Sequence, residues 1–367
     1  MTRDSRRIAR IRGKLLDWYD ANHRDLPWRR SRDPYAIWIS ETMLQQTRVE
    51  TVIPYYERFL ERFPDVHALA SADREDVFGL WAGLGYYSRA RNLHDAARIV
   101  ADEHDGCLPD QADALRALPG IGRYTAGALA SIAFDRPEPV VDGNVVRVLS
   151  RIFGIREDVG AKAVVDELWE LAGSLAHGPR PGDLNQALME LGATVCTPRS
   201  PRCDACTLRR SCNAAKRGDA EALPIKSKKT KVRNARASVA WIVRGGEAGG
   251  RGGRAEKVLA VRRPEGGLLA GLWELPGNAL RADIDPEQSL REHVDQSLGL
   301  TIDGVEELGE VEHAFTHIRL RLRVFACGAG GERVRRDGYA EHRWISCAGF
   351  EQLPQATLTR KAAALTR

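Results

Sequence analysis

The chain has 367 residues, of which 43% are hydrophobic and 29% charged, and it carries a formal net charge of +5. That balance excludes a disordered or fibrous chain and leaves room for two or three globular domains. No apolar run approaches the roughly 18 residues that cross a bilayer, and the Arg-rich N-terminus has no apolar stretch of a secretory leader. The expected setting is therefore cytoplasmic, with no membrane partner.

Helical signals run from residue 1 to about 215. Asp33-Pro34 reads as a helix start, with Asp as cap and Pro at the first helical position. Tyr35 to Glu50 behind it has helical spacing, which puts Ile37, Glu41, Leu44, Gln45 and Arg48 on one face. Further helices are expected around 54–62, 73–82, 88–104, 111–117, 123–134, 144–153, 161–176 and 183–194. Within this region Leu115-x-x-Leu118-Pro119-Gly120-Ile121-Gly122-Arg123-Tyr124-Thr125-Ala126 predicts two helices joined through G-I-G. Backbone amides at the second helix's start, with no side chain at Gly120 or Gly122, make an anion site that grips phosphate without reading sequence.

Four of the seven cysteines stand together as Cys196, Cys203, Cys206 and Cys212. Soft thiolates from one loop suit an iron–sulfur cluster. Zinc is the main competitor, but structural zinc sites usually use two tight Cys pairs or add His, and here one pair is tight and the loop holds no His. Cys107, Cys327 and Cys347 are isolated and read as packing residues.

Residues 216–236 hold eight Lys or Arg against Asp219 and Glu221, so the rest of the chain is close to neutral. This cationic strip, with Pro224 and few apolar residues, reads as an exposed linker that could meet phosphates. Beyond it the pattern changes to strands at Ala237–Arg244, Lys257–Arg263, Arg319–Cys327 and Ala340–Ser346. A flexible hairpin loop is expected at Gly245–Gly253 and a helix near 286–298, which makes the C-terminal part α+β.

Several segments resemble one family closely. Ser40 to Thr47 (S-E-T-M-L-Q-Q-T), Gly83 to Arg91 (G-L-G-Y-Y-S-R-A-R) and Val141 to Val148 (V-D-G-N-V-V-R-V) are similar to the MutY family of adenine DNA glycosylases. That family lies within the helix-hairpin-helix glycosylases, and the resemblance extends from about residue 10 to the cysteine cluster. It implies a mainly α helix-hairpin-helix glycosylase over residues 1–215. A six-helix barrel would span about 27–138, and a cluster domain would combine the N-terminal helix with 139–215. It further implies a [4Fe-4S] cluster on the four cysteines and a monomer. The partner implied is double-stranded DNA with adenine opposite 8-oxoguanine or guanine, the adenine being turned out of the stack. In a bacterium the enzyme would work on the nucleoid.

The reaction implied is hydrolysis of adenine's N-glycosidic bond. Adenine leaves poorly as an anion, so it must be protonated as the bond breaks, while the sugar cation needs negative charge beside it. Glu41, beside Ile37, Trp38 and Leu44, suits the acid, because desolvation would keep it protonated. On periodicity alone a surface Glu patterned with Arg48 fits better; the motif match reverses that preference. Asp142 starts the helix through 144–153 and suits the carboxylate. In the resemblance Asn144 orients it, and Tyr124 supports the site. Tyr124 also stands where strand-cleaving relatives carry a Schiff-base Lys, and Tyr cannot form an imine.

Gln45, Gln46 and Gln186 offer paired donors and acceptors for base edges, and Arg48, Arg89 and Arg91 are candidate DNA contacts. Tyr86 matches the family's wedge beside the oxidised guanine.

Residues 237–367 resemble a Nudix, MutT-like domain around Gly271 to Gly277 (G-L-W-E-L-P-G). Arg291-Glu292-His293-Val294-Asp295-Gln296 lacks one acid of the family's metal-binding helix, which points to recognition rather than hydrolysis. The implied reading loop for oxidised guanine is Phe315-Thr316-His317.

Overall fold

The computed structural model describes residues 3–227, 232–244, 257–280, 284–315, 317–330 and 334–367. The chain forms two compact units. One comprises residues 1–71 and 92–228; the other comprises residues 72–91 and 229–367. Among the described residues no helix is long and apolar enough to cross a membrane.

The first unit is helical. Its elements are α1 (Arg3–Asn22), α2 (Pro34–Leu44), α3 (Val49–Arg62) and α4 (Val66–Ala70). The chain then passes through α5 (Arg74–Trp81) in the second unit and the start of α6 (Ser88–Glu103). It returns for α7 (Ala112–Arg116), α8 (Arg123–Ile132), α9 (Gly143–Phe153), α10 (Lys162–Ala176), α11 (Pro181–Thr194) and α12 (Asn213–Arg217). Helices α8, α9, α11 and α1 share the main core, through Leu129, Val148, Leu149, Leu184, Leu188, Ile11 and Leu15. Two glycines let helices close up: a β-carbon on Gly127 would overlap the Pro139 carbonyl oxygen, and one on Gly182 the Ser131 carbonyl.

Helix α2 begins as expected, with Asp33 accepting from Tyr35 N at 3.1 Å and Ala36 N at 3.2 Å. It does not continue to Glu50. It stops at Leu44, Gln45 takes ψ 109°, and Gln46 has φ +60° before α3 starts. From Tyr35 to Met43 every residue is buried, so the helix is surrounded rather than one-faced. The supposed stripe from Ile37 to Arg48 is cut, and Gln45, Gln46 and Arg48 lie in a turn.

The second unit carries a seven-stranded sheet of β1 (Arg233–Arg244), β2 (Lys257–Arg262), β3 (Trp273–Glu274), β4 (Gly277–Leu280), β5 (Thr301–Ala314), β6 (Ile318–Gly330) and β7 (Glu341–Ser346). The strand order is β3-β2-β1-β6-β5, with β4 also on β1 and β7 on β2; β1 and β6 run parallel and the other pairs antiparallel. Alternation sorts the side chains. Ala240, Ile242, Leu259 and Val261 pack with Leu290, Val294 and Leu298 of α13 (Pro286–Leu298). Trp241, Val258, Ala260 and Val324 pack in a separate cluster with Phe350 of α14 (Cys347–Gln352) and Leu358 of α15 (Thr357–Ala364).

The division differs from the sequence reading in two places. Residues 72–91 join the sheet unit because Glu75 takes Trp273 Nε1 at 3.2 Å and Arg343 at 3.1 Å, while Tyr87 donates to the Gln355 carbonyl at 2.8 Å. The basic strip is not wholly a linker. Ala214, Ala220 and Leu223 form a small core with Cys203 and Cys212, and Ile225 bridges to Asp158. The expected loop at Gly245–Gly253 lies outside the described residues.

The tight α8 contact gives a direct test. Gly127→Ala is expected to destabilise the protein by about 1–3 kcal/mol through overpacking, read as a lower urea midpoint, because a backbone oxygen cannot rotate away.

Candidate active site and nucleic-acid interface

Glu41 sits in the last turn of α2, where the enclosing helices leave its side chain 6% exposed. Tyr124, in the first turn of α8, donates its hydroxyl to Glu41 Oε2 at 2.9 Å. Burial pushes the Glu41 carboxyl up to about 7. The Tyr124 hydrogen bond and Arg29 pull it down, whereas Asp142 pushes it further up. The Tyr124 phenol is held well above its usual range, by burial first and then by Glu41 and Asp142, so it remains a donor.

Asp142 caps α9. Its Oδ1 accepts from Val145 N at 2.7 Å and its Oδ2 from Asn144 Nδ2 at 2.8 Å. Asp142 is half-buried. Both carboxylate oxygens are engaged at the start of the helix. The two carboxyl groups thus meet different environments, an enclosed pocket for Glu41 and two amide donors at a helix start for Asp142.

Asn144 is fixed in turn. Its Oδ1 accepts from Arg147 Nη2 at 2.8 Å, and Arg147 also donates to the carbonyls of Gly192 at 2.8 Å and Cys196 at 2.7 Å. A β-carbon on Gly192 would stand 2.6 Å from Asn144 Cβ, so only glycine lets α11 approach there. On the other flank, buried Glu190 binds Arg24 at 2.7 Å and Arg29 at 2.8 Å. Burial would raise the Glu190 carboxyl, but the two guanidinium groups hold it below the usual range. Arg29 also donates to Gln186 Oε1 at 3.2 Å, and Gln45 Nε2 to Thr125 Oγ1 at 3.3 Å.

The sequence reading had assigned no role to Arg147, Arg29, Glu190 or Met189. A signal existed for Arg147: with Arg151 it lies four residues apart on the buried side of α9, among Val145, Val148, Leu149 and Ile152. Arginines at core positions need partners. Gln46 and Arg48 are exposed, and Arg48 precedes α3.

In the hairpin, Leu115, Leu118 and Ile121 are buried. Gly120 has φ +77°, and a β-carbon there would meet Asn92 Cβ at 2.7 Å, whereas one on Gly122 would meet nothing within 4 Å. Gly120 is thus demanded by the turn, and Gly122 leaves the start of α8 open for an anion to approach.

The four cysteines line one small cavity together with Arg151, Arg202 and Arg209. Arg151 donates to Cys196 Sγ at 3.3 Å and to the Thr197 carbonyl at 2.7 Å. Their donor set is four thiols and no carboxylate or imidazole. The isolated cysteines differ in burial: Cys327 is buried, as a packing residue would be, whereas Cys107 and Cys347 are exposed.

In the second unit, Tyr86, Leu268, Phe315 and His317 line a cavity of about 430 Å³. Tyr86 is 45% exposed with φ +50°, Phe315 is half-buried against the sheet core, and His317 is exposed. Thr316 lies outside the described residues. Arg89 is not placed for phosphate. It is buried, with its guanidinium 5.4 Å from the Trp81 ring and 5.5 Å from the Tyr86 ring, and it donates to the Gly85 carbonyl at 3.1 Å. Arg91 reaches the Glu265 carbonyl at 3.3 Å.

Residues 39–173 match the family described as HhH-GPD superfamily base excision DNA repair protein, and residues 252–365 match the NUDIX domain. The helical unit also resembles the solved structure of a thermostable thymine-DNA glycosylase, with a TM-score of 0.54 and 30% identity over 59% of this chain and 100% of that one. A trapped endonuclease III–DNA covalent intermediate shares the fold at a TM-score of 0.50 and 24% identity, over 59% of this chain and 99% of that one. Fold and site together define a helix-hairpin-helix base-excision repair glycosylase joined to a Nudix-like α+β domain.

Along nearly its full length the chain is similar to adenine DNA glycosylases. It is 39% identical to that of Rattus norvegicus, over 96% of this chain and 77% of that protein. It is 38% identical to that of Homo sapiens, over 98% and 74%. The chain belongs to the adenine DNA glycosylase family, hydrolases of N-glycosyl bonds.

Because folding raises the Glu41 carboxyl from 4.5 to about 7, the folded state holds that proton more tightly than the unfolded chain does. Stability from this group is complete below pH 4.5 and falls as pH rises to 7, by about 3 kcal/mol. Glu41→Gln is therefore expected to melt close to the parent at pH 5 and several degrees higher at pH 8; equal shifts at both pH values would contradict the raised carboxyl.

Proposed function

We propose that the protein excises adenine paired with 8-oxoguanine, or with guanine, in duplex DNA, and that it hydrolyses only the glycosidic bond. The observation that carries this reading is the opposed pair of carboxyl groups. Buried Glu41 keeps a proton near neutral pH, and the Asp142 carboxyl is fixed by two amide donors.

Glu41 gives its proton to the departing adenine, and Asp142 steadies the positive sugar that remains. Asn144, locked by Arg147, holds Asp142 in place. Gln45, Gln46 and Gln186 take base edges, with Arg29 and Glu190 fixing the wall near Gln186. Tyr124 at the lyase position favours base removal without strand cutting, since a phenol forms no imine with the sugar. The open amides beside Gly122, with Gly120 shaping the turn, hold a DNA phosphate, and Arg48 adds a surface cation.

Cys196, Cys203, Cys206 and Cys212 hold a [4Fe-4S] cluster. The shared cavity lined by four thiols and no carboxylate or imidazole suits an iron–sulfur group. The cluster would tie the loop together and present Arg199, Arg202, Arg209 and Arg210 as a cationic surface. Tyr86 inserts beside the oxidised guanine, with Phe315, Thr316 and His317 reading it; the shared cavity of Tyr86, Phe315 and His317 supports this.

Purified protein is expected to release free adenine from an 8-oxoguanine·A duplex and leave an uncut abasic site. Borohydride should trap no covalent adduct. Asp142→Asn keeps a helix cap but loses the charge, so single-turnover excision should fall at least a hundredfold with duplex affinity largely kept. Wild-type rates in that variant would sink the assignment. Iron analysis near four atoms per chain, rather than one zinc, is expected for the cluster.

A further inference from the structure

The Tyr124 hydroxyl has one hydrogen and two acceptors in reach. Glu41 Oε2 lies at 2.9 Å, and the Met189 thioether, from α11, at 3.2 Å. Met189 is half-buried, one residue before the Glu190 pair. We infer that Met189 is a positioning residue: its sulfur takes the Tyr124 hydrogen when Glu41 holds its own proton, and so helps keep that proton in place. The inference rests on the reading of Glu41 as the acid.

An ionised carboxylate only accepts, so Tyr124 then donates to Glu41 and the sulfur has no part. A protonated carboxyl can donate to the Tyr124 oxygen, and the phenol hydrogen must then find another acceptor. The Met189 thioether, 3.2 Å away, is such an acceptor. Sulfur is a weak acceptor, so it favours the protonated form modestly without preventing proton release. The charged groups facing Glu41 come from three other elements. Asp142 at the start of α9 opposes its ionisation. Tyr124 from α8 and Arg29 from the short turn at Pro27–Arg29 favour it. Met189 is uncharged and can act only through the Tyr124 hydroxyl.

The test is the pH dependence of single-turnover adenine release by the cluster-loaded enzyme on an 8-oxoguanine·A duplex. Excision should fall on the alkaline side as Glu41 ionises. Met189→Leu, similar in volume but without an acceptor, should move that limb down by roughly half a pH unit, a two- to threefold loss above it. Met189→Gln, with a stronger acceptor, should move it up. In a Tyr124→Phe background the Met189→Leu shift should vanish. The opposite signs keep the test decisive if one variant folds poorly. An unmoved limb in both variants, or a shift that survives loss of the Tyr124 hydroxyl, overturns the role of Met189. A wild-type profile flat across the neutral range instead overturns Glu41 as the acid, and Met189 with it.

Discussion

The structure depends on enclosing one carboxyl group without giving it a full counter-charge. Glu41 is almost entirely covered, and the hydrogen bond it accepts comes from the neutral Tyr124 phenol rather than a guanidinium. Nearby Glu190 shows the contrast. It is buried as deeply, but Arg24 and Arg29 clasp it and keep it ionised. Burial with cations yields a structural anion; burial without them yields a proton donor. The difference lies in which arginines reach which acid, and α2 and α11 set that.

Much of this was legible in the chain. Asp33-Pro34 announced the start of α2, the Leu/Pro/Gly run fixed the turn before α8, and Asp142 followed by an apolar stripe marked α9 and its cap. Each is a local signal whose physical cause is contained in a few neighbouring residues. Glu41 was a harder case, because periodicity alone favoured a solvent-facing acid. What encloses it is a set of helices distant in sequence.

The misses share that cause. Nothing in Leu44-Gln45-Gln46 forbids a longer helix. The break into extended and left-handed backbone is imposed by tertiary packing, with Gln45 bound to Thr125 some eighty residues away. Strand β5 escaped notice because acids at 303, 306, 307, 310 and 312 blur its alternation, and register shifts interrupt it between Asp303 and Glu306 and again at Glu307/Gly309. Arg89 reads as a surface cation until the Trp81 and Tyr86 rings are seen around it. A sequence names a residue's chemistry more readily than its neighbours.

The double duty of Asp142 constrains how this site can change. Closing the first turn of a helix is a task that Ser, Thr or Asn performs nearly as well, so drift at this position would leave an intact fold. Only Asp brings a carboxylate to the same spot. On the proposed reading, such variants would fold while lacking the charge that the reaction needs. Quality control that inspects folding alone would pass every one of them.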